Sequence, residues 1–146
     1  MAAKKPVIKF LRLHKDVILP KYAHDDDAAF DISTVISGTI KKGEIKSFLT
    51  GIASEIPKGW YVSIRDRSGL AVNFGLHVLA GVIDAGYRGE WKMTLINLSK
   101  KAYRITKGER IAQGILLPSP QAKIIEVKKL TDSKRGEKGF GSTGRK

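Results

Sequence analysis

The chain has 146 residues, 42% of them apolar, which is enough for one compact domain with its own core. The absence of cysteine excludes disulfides, zinc–thiolate sites, iron–sulfur clusters and cysteine nucleophiles. The longest segment without Asp, Glu, Lys or Arg, residues 68–83, contains Gly, Asn and His, and the opening MAAKKPVIKF has no apolar stretch of signal-peptide type. We therefore expect neither a membrane span nor export, and a location in the cytoplasm or, for a viral protein, the host cytoplasm.

Short apolar runs rich in β-branched residues recur along the chain and predict strands. The runs are Val7–Leu13, Glu44–Ile56, Trp60–Ile64, Trp91–Leu98, Arg110–Leu117 and Lys123–Val127. Turn sequences separate them at residues 41–43, 57–59, 107–109 and 118–120. This pattern predicts an antiparallel barrel or sandwich with one short helix, which begins at Ser68 with Ser68 as its N-cap.

The last part of the sequence has a different composition. Residues 131–146 contain four glycines and one aromatic side chain, Phe140, which is too little apolar surface to offset the entropy lost on ordering. We therefore predict a barrel domain over residues 1–130 and a flexible tail over residues 131–146. A phenylalanine set between glycines suggests a flap that closes on a ligand, and a plain basic tail is the alternative.

The net charge of +13 is concentrated at the two ends of the sequence. Residues 1–15 hold five basic side chains and no acidic one, whereas residues 128–146 hold seven basic and two acidic ones. Two interpretations are open. The ends bind nucleic acid, or they are solvated segments that also serve a small anionic ligand.

Three glycine-containing segments are candidates for phosphate binding. Arg67-Ser68-Gly69 opens the short helix, where free amides, a hydroxyl and a guanidinium suit an anion. In the tail, Arg135 lies near two hydroxyl residues, Ser142 and Thr143. The turn at residues 107–110 is the third candidate, and a structural role suits it equally well.

The segment Gly81–Gly89 contains an Asp-Ala-Gly turn, which predicts a hairpin. Asp84 at its edge either caps the turn or acts as a general base that holds a water. Tyr87 either packs in the barrel or supports a ring of a ligand. His14, His24 and His77 have no metal-ligand spacing, and residues 25–27 are interpreted as a solvated acidic loop.

In order, these segments resemble the five motifs of the trimeric deoxyuridine triphosphate nucleotidohydrolases, the dUTPases, from residue 28 to residue 144. The matching segments are AFDI at 29–32, RSGLA at 67–71, GVID with YRG at 81–89, GERIAQ at 108–113, and RG with GFGSTG at 135–144. The sequence departs from the family pattern at four positions: Ala29, Asp66, Gly86 and Lys138 stand where Gly, Pro, Asp and Gly are usual.

The resemblance implies a jelly-roll-like barrel of the dUTPase β-clip type and a homotrimer whose active sites are shared between subunits. It implies hydrolysis of dUTP to dUMP and pyrophosphate, with Mg²⁺ bound through the substrate's phosphates and waters rather than by direct protein ligands. Such a reaction keeps uracil out of DNA and supplies dUMP for thymidylate synthesis. It implies no membrane partner and no stable nucleic-acid partner.

The resemblance also assigns roles to residues of this sequence. Asp84 would activate the water that attacks the α-phosphorus. Asp31 would support a metal-bound water or the neighbouring site, and Gln113 would add a hydrogen bond to a phosphate or a water. The expected substrate-binding residues are Arg67, Ser68, Gly69, Gly81, Ile83, Tyr87, Arg135, Phe140, Gly141, Ser142 and Thr143. Among these, the hairpin would pair with uracil, Tyr87 would exclude a 2′-hydroxyl and Phe140 would stack on the base.

The sequence argues against two other functions. A dCTP deaminase on the same fold would need a carboxylate base on the strand after the third motif, and the sequence has no acid between Glu90 and Glu109. A module for single-stranded nucleic acid would need aromatic residues among the basic ones. The only Phe, Tyr or Trp residues in the two basic ends of the sequence are Phe10 and Phe140.

Overall fold

The computed structural model describes residues 5–139, and the first four and last seven residues lie outside it. The described residues form eleven antiparallel strands and one helix. The strands are β1 Lys9–Arg12, β2 Phe30–Ser33, β3 Gly38–Ile40, β4 Ile45–Leu49, β5 Ile52–Glu55, β6 Trp60–Arg65, β7 Leu76–Leu79, β8 Val82–Asp84, β9 Lys92–Asn97, β10 Tyr103–Ile105 and β11 Arg110–Pro118. The helix α1 spans Ser68–Phe74. This is the all-β architecture with one short helix that the sequence predicts.

The strands form four small sheets around one core. Their orders are β2-β11-β6-β8, β4-β9-β7, β1-β5 and β10-β3. The side chains between the sheets are almost wholly buried, and the largest of them are Trp91, Phe48 and Ile32. No helix in the described part of the chain is long and apolar enough to cross a membrane.

Four of the predicted strands occur close to the expected bounds, and two predictions need correction. The run Glu44–Ile56 is divided into β4 and β5 at Gly51, whose φ of 68° takes the backbone into the left-handed region. The run Lys123–Val127 forms no strand within residues 5–139, because no other strand of the same chain lies beside it. Regular structure in the described chain ends at Pro118.

The Asp-Ala-Gly turn forms, but it does not join two paired strands. Tyr87 donates its N–H to the carbonyl of Asp84 at 3.1 Å. β8 pairs with β6, whereas β9 pairs with β4 and β7 in a different sheet. The predicted hairpin at residues 81–87 would pair β8 with the strand that follows it, and this pairing does not occur. The prediction is therefore wrong, and β8 is instead the edge strand of the four-stranded sheet.

The start of α1 also differs from the expectation by one residue. The N-cap is Arg67, with extended backbone angles and no side-chain capping bond, and Ser68 is the first helical residue. The N–H groups of Leu70 and Ala71 bond the carbonyl of Arg67. The amides and the hydroxyl of residues 68–69 are consequently not consumed by a cap, which leaves them available to a ligand.

Candidate active site

A cleft of about 530 Å³ opens beside the start of α1, between the ends of β2 and β11. We call it the arginine cleft; its lining residues include Ala29, Asp31, Arg67, Ser68, Gly69, Arg110 and Gln113. Five predicted site residues from three distant segments thus meet at one place: Asp31, Arg67, Ser68, Gly69 and Gln113. The antiparallel register of β11 with β2 explains part of this, because it sets Gln113 opposite Asp31.

Asp31 is the centre of the ion pairing in the arginine cleft. Its Oδ1 accepts a hydrogen bond from Arg67 Nε, and its Oδ2 accepts one from Arg110 Nη1, each at 2.9 Å. The Asp31 side chain is only 16% exposed, whereas those of Arg67 and Arg110 are 30% and 53% exposed. Asp27 also lines the cleft, so its two carboxylates balance the two guanidiniums in formal charge. The guanidiniums and the free amides at the start of α1 are nevertheless donors that suit the oxygens of an anionic ligand.

The sequence pattern includes Arg110 only in the turn at residues 107–110, the third candidate for phosphate binding, and gives its side chain no individual role. Arg110 stands in the GERIAQ segment, but its position at the start of β11 gave no reason to place it beside Asp31. Its guanidinium reaches Asp31, and its carbonyl accepts a second hydrogen bond from Arg67, at 3.3 Å. Arg110 therefore positions Arg67 as well as adding charge to the cleft.

Neither the backbone conformation nor the packing of the described chain requires a glycine at position 69. Its φ is not positive, and a Cβ built at this position would meet nothing within 4 Å. Gly69 nevertheless lines the arginine cleft. The missing side chain keeps the start of the helix open, so that a ligand can approach the backbone amides closely.

Asp66 joins the loop before α1 to two neighbouring strands. Its Oδ1 accepts the N–H of Val78 at 2.6 Å, and its Oδ2 lies 2.7 Å from His77 Nδ1. Its carbonyl accepts a hydrogen bond from Gln113 Nε2 at 2.7 Å. The departure from the family's usual Pro therefore replaces a rigid residue with side-chain hydrogen bonds that hold the loop against β7. The bond from Gln113 uses a backbone carbonyl, which a proline would also offer.

Asp66→Ala is expected to lower the free energy of unfolding by about 1–3 kcal/mol, because the Val78 N–H loses its acceptor. Urea unfolding followed by circular dichroism measures the change. Asp66→Asn is the matched control, since its Oδ1 still accepts that N–H, and it should lose less than half as much. Equal losses from both substitutions would contradict this account of the loop.

Asp84 lies away from the arginine cleft, at the end of β8. It is exposed, and its carboxylate makes no hydrogen bond within residues 5–139. It borders a pocket of about 280 Å³ that we call the edge pocket, which is also lined by Ile83 and by Tyr87. The Tyr87 hydroxyl donates to the carbonyl of Glu90 at 3.0 Å, which fixes the ring at the rim of this pocket.

Gly81 is engaged inside the sheet. Its carbonyl accepts the N–H of Ile64 at 2.8 Å. Along an antiparallel edge strand, the N–H and C=O groups of successive residues point alternately toward the neighbouring strand and away from it. Since Gly81 points toward β6, the N–H and C=O of Val82 face away from β6. The open edge beside the edge pocket is thus offered by Val82, which sequence reasoning did not single out.

The separation of Asp84 from the arginine cleft follows from the register of the sheet. Asp84 is opposite Tyr61 and Gln113 is opposite Arg65, four residues further along β6. That offset is about 13 Å of strand, and since β8 and β11 flank β6 on opposite sides, the two backbones lie roughly 16 Å apart. One chain therefore does not bring Asp84 to its own arginine cleft.

Of the predicted tail residues, only Arg135 lies in the described part of the chain. Its Nε donates to the carbonyl of Lys138 at 2.8 Å, and it is exposed, away from both pockets. The predicted residues Phe140, Gly141, Ser142 and Thr143 lie outside the described residues.

Comparison with known proteins identifies the family of this chain. The sequence model of the dUTPase family matches residues 15–144. The chain belongs to the dUTPase family. The deoxyuridine 5′-triphosphate nucleotidohydrolase of Nautilia profundicola is 47% identical over 140 residues, covering 94% of this chain and 99% of the relative, and that of Crocosphaera subtropica is 45% identical with similar coverage.

Solved structures of the family have the same fold. The dUTPase of Staphylococcus bacteriophage 80alpha, in a structure with dUPNHPP, superposes with a TM-score of 0.89 at 29% identity, covering 94% of this chain and 98% of the phage chain. The jelly-roll-like β-clip expected from the sequence is therefore confirmed. The same comparison confirms the resemblance on which the site residues were chosen.

Proposed function

We propose that this dUTPase family member hydrolyses dUTP to dUMP and pyrophosphate, and so keeps uracil out of DNA while supplying dUMP. The observation that carries the proposal is the arginine cleft, in which Arg67, Arg110 and the free start of α1 converge. A triphosphate presents the anionic oxygens that these guanidiniums and amides can bind. Transfer at phosphorus is mainly a matter of positioning and charge stabilisation, which fixed guanidiniums and amides supply.

Asp84 is the proposed general base. Its carboxylate has no hydrogen-bond partner in the described chain and is exposed, so a water can bind there without displacing a protein group. The carboxylate takes a proton from this water while the oxygen attacks the α-phosphorus. The bond between the α-phosphorus and the bridging oxygen breaks, and pyrophosphate leaves with the electron pair.

The distance between Asp84 and the arginine cleft supports sites shared between subunits. At roughly 16 Å, the base of one chain and the phosphate cleft of the same chain do not act on one α-phosphorus. Apolar side chains exposed in the segment after β11 support association of chains: Ile124 is 95% exposed and Leu130 is 79% exposed. A homotrimer in which Asp84 meets the arginine cleft of another subunit accounts for both observations.

The donor set of the arginine cleft fits a Mg²⁺ ion that arrives with the substrate. Within residues 5–139, no group of three or more His, Asp or Glu side chains forms a direct metal site. Asp31 keeps unused lone pairs on both oxygens beside its two guanidinium bonds and could accept hydrogen bonds from waters around the ion. Mg²⁺ so bound supplies charge neutralisation on the phosphates.

The edge pocket is the proposed site for the uracil and deoxyribose. An unpaired strand edge at Val82 offers an N–H and a carbonyl, which together match the donor and acceptor pattern of uracil. Cytosine would leave these groups unpaired, at about 1–3 kcal/mol each. Tyr87, held at the rim by Glu90, would pack on the deoxyribose and exclude a 2′-hydroxyl.

The test is incubation of the full chain with each deoxynucleoside and ribonucleoside triphosphate and Mg²⁺, with pyrophosphate and nucleoside monophosphate measured together. The proposal predicts hydrolysis of dUTP far above that of dCTP, dTTP and UTP. Release of ammonia from dCTP would indicate deamination instead. Equal hydrolysis of all triphosphates would refute recognition of uracil in the edge pocket.

A further inference from the structure

A second basic cleft lies at the other end of α1 from the arginine cleft. It encloses about 430 Å³, and we call it the lysine cleft; its lining residues are Asn73, Phe74, Ser99, Lys100, Lys101, Ala102, Tyr103 and Arg104. The rings of Phe74 and Tyr103 meet in it, with centroids 4.7 Å apart at 49°. Phe74 is 43% exposed, so part of its ring is open to a ligand.

The loops that carry the basic side chains are fixed by one buried residue. Asn97 Nδ2 donates to the carbonyls of Ile40 and Lys101 at 2.9 and 2.8 Å, while its Oδ1 accepts from the N–H and hydroxyl of Ser99. A further bond from Leu98 N–H to the carbonyl of Gly75 ties this loop to the end of α1. The lysine cleft is therefore formed by a rigid scaffold, which reduces the entropic cost of binding.

The positive charge around the lysine cleft is not neutralised locally. Pairing of β3 with β10 brings the turn at Lys41 and Lys42 next to the loop at Lys100 and Lys101. Within residues 5–139, these four lysines form no ion pair, and neither does Arg104. Three of these cations line the lysine cleft, the other two lie on the adjacent turn, and their charges are available to an anionic partner.

The nearest carboxylates and the phenol do not offset this charge. Glu44 accepts the N–H of Lys41 at 2.6 Å, and Glu109 accepts the Tyr103 hydroxyl at 2.7 Å. Burial and the bond to Glu109 raise the pKa of Tyr103 to about 12, so the phenol stays neutral at physiological pH. Two carboxylates against five cations leave the surface strongly positive.

We propose that the lysine cleft binds single-stranded nucleic acid, with backbone phosphates on Lys100, Lys101 and Arg104 and an unpaired base against Phe74. Base stacking on an exposed ring beside cations is the usual composition of such sites. A duplex offers no free base face to Phe74, which favours single strands. The sequence alone did not reveal this combination, because its aromatic and basic members come from α1, β10 and two loops.

The test is fluorescence anisotropy of a labelled 12-nucleotide oligothymidylate with the full chain, titrated at several salt concentrations. Lys100→Gln with Lys101→Gln should reduce the slope of log affinity against log salt by about 1.4, since each phosphate contact on a single strand contributes roughly 0.7. Phe74→Leu should weaken binding about fivefold with the slope unchanged. Unchanged dUTP hydrolysis in both variants shows that they are folded.

Lys128→Gln with Lys129→Gln is the matched control, because it removes the same charge from exposed residues outside the lysine cleft. It should leave the slope and the affinity unchanged. An equal effect of this control, equal affinity for duplex DNA, or displacement of the oligonucleotide by a non-hydrolysable dUTP analogue would overturn the proposal. So would the absence of saturable binding at low salt.

Discussion

Asp84→Asn is expected to lower the turnover of dUTP by about 10²–10⁴-fold, the loss typical of a missing general base. The carboxylate makes no hydrogen bond within residues 5–139 and is exposed, so the substitution leaves packing and folding intact. The affinity for a non-hydrolysable dUTP analogue should stay close to that of the unaltered protein. Steady-state kinetics and calorimetric titration measure the two quantities separately.

Glu126→Gln is the control for this prediction. It removes one negative charge from another exposed residue, outside both the edge pocket and the arginine cleft. Its turnover should be unchanged. Near-normal turnover of Asp84→Asn would remove Asp84 from the reaction, and a large loss of analogue affinity would show that it binds substrate instead.

Truncation after Leu130 should nearly abolish hydrolysis and barely change the melting temperature. Residues 131–138 are exposed and form no helix or strand, so the barrel loses little buried surface with them. The truncation removes Arg135, Phe140, Ser142 and Thr143, which the family resemblance assigns to substrate binding, with Phe140 stacked on the base. Differential scanning calorimetry and a pyrophosphate assay provide the two readouts.

Removal of Arg145 and Lys146 alone is the matched control, because both lie beyond the segment GFGSTG. This shorter deletion should retain full activity. If truncation after Leu130 unfolds the protein many degrees earlier, the tail is structural. If it leaves hydrolysis intact, the tail has no part in the site.

About half of the strands could be predicted from local pattern, since β2, β3, β7 and β10 lie outside the predicted runs. β1, β6, β9 and β11 are apolar, β-branched runs bounded by turn sequences, and the structure has strands there. The partner of each strand could not be predicted in this way. The turn at residues 85–86 is typical of a hairpin, yet the two strands beside it pair with other strands in separate sheets, because long-range packing decides the pairing.

The Lys123–Val127 run also shows that a local sequence pattern does not determine whether a strand forms. Its apolar residues favour a strand, but a strand needs a neighbour, and the described part of a single chain supplies none. The side chains of Ile124 and Ile125 are instead exposed. Local propensity therefore did not decide the structure of this segment.

The candidate site was predicted best where the sequence motifs are specific. Asp31, Arg67, Ser68, Gly69 and Gln113 come from three separate motifs and meet in the arginine cleft. The sequence pattern gives Asp66 no role and includes Arg110 only as part of the candidate turn at residues 107–110. Their contributions depend on strand register and on bonds to Val78 and His77, and a one-dimensional pattern does not contain these distances.

The most direct test of a shared site is to mix two inactive variants. Arg67→Gln removes a guanidinium from the arginine cleft, and Asp84→Asn removes the base, so each homotrimer should be nearly inactive. After the two are unfolded together and refolded, random assembly would give about one quarter of sites a native Asp84 and a native Arg67 from different chains. The account predicts that the mixture regains about that fraction of the unaltered activity.

A mixture of Asp84→Asn with the double variant Asp84→Asn/Arg67→Gln is the control and should stay inactive, because no chain in it supplies the base. Sedimentation of the refolded protein establishes that trimers have formed. Activity of the first mixture near one quarter of the unaltered protein would support the shared site. Trimers that stay as inactive as their parents, or a protein that sediments as a monomer, would contradict it.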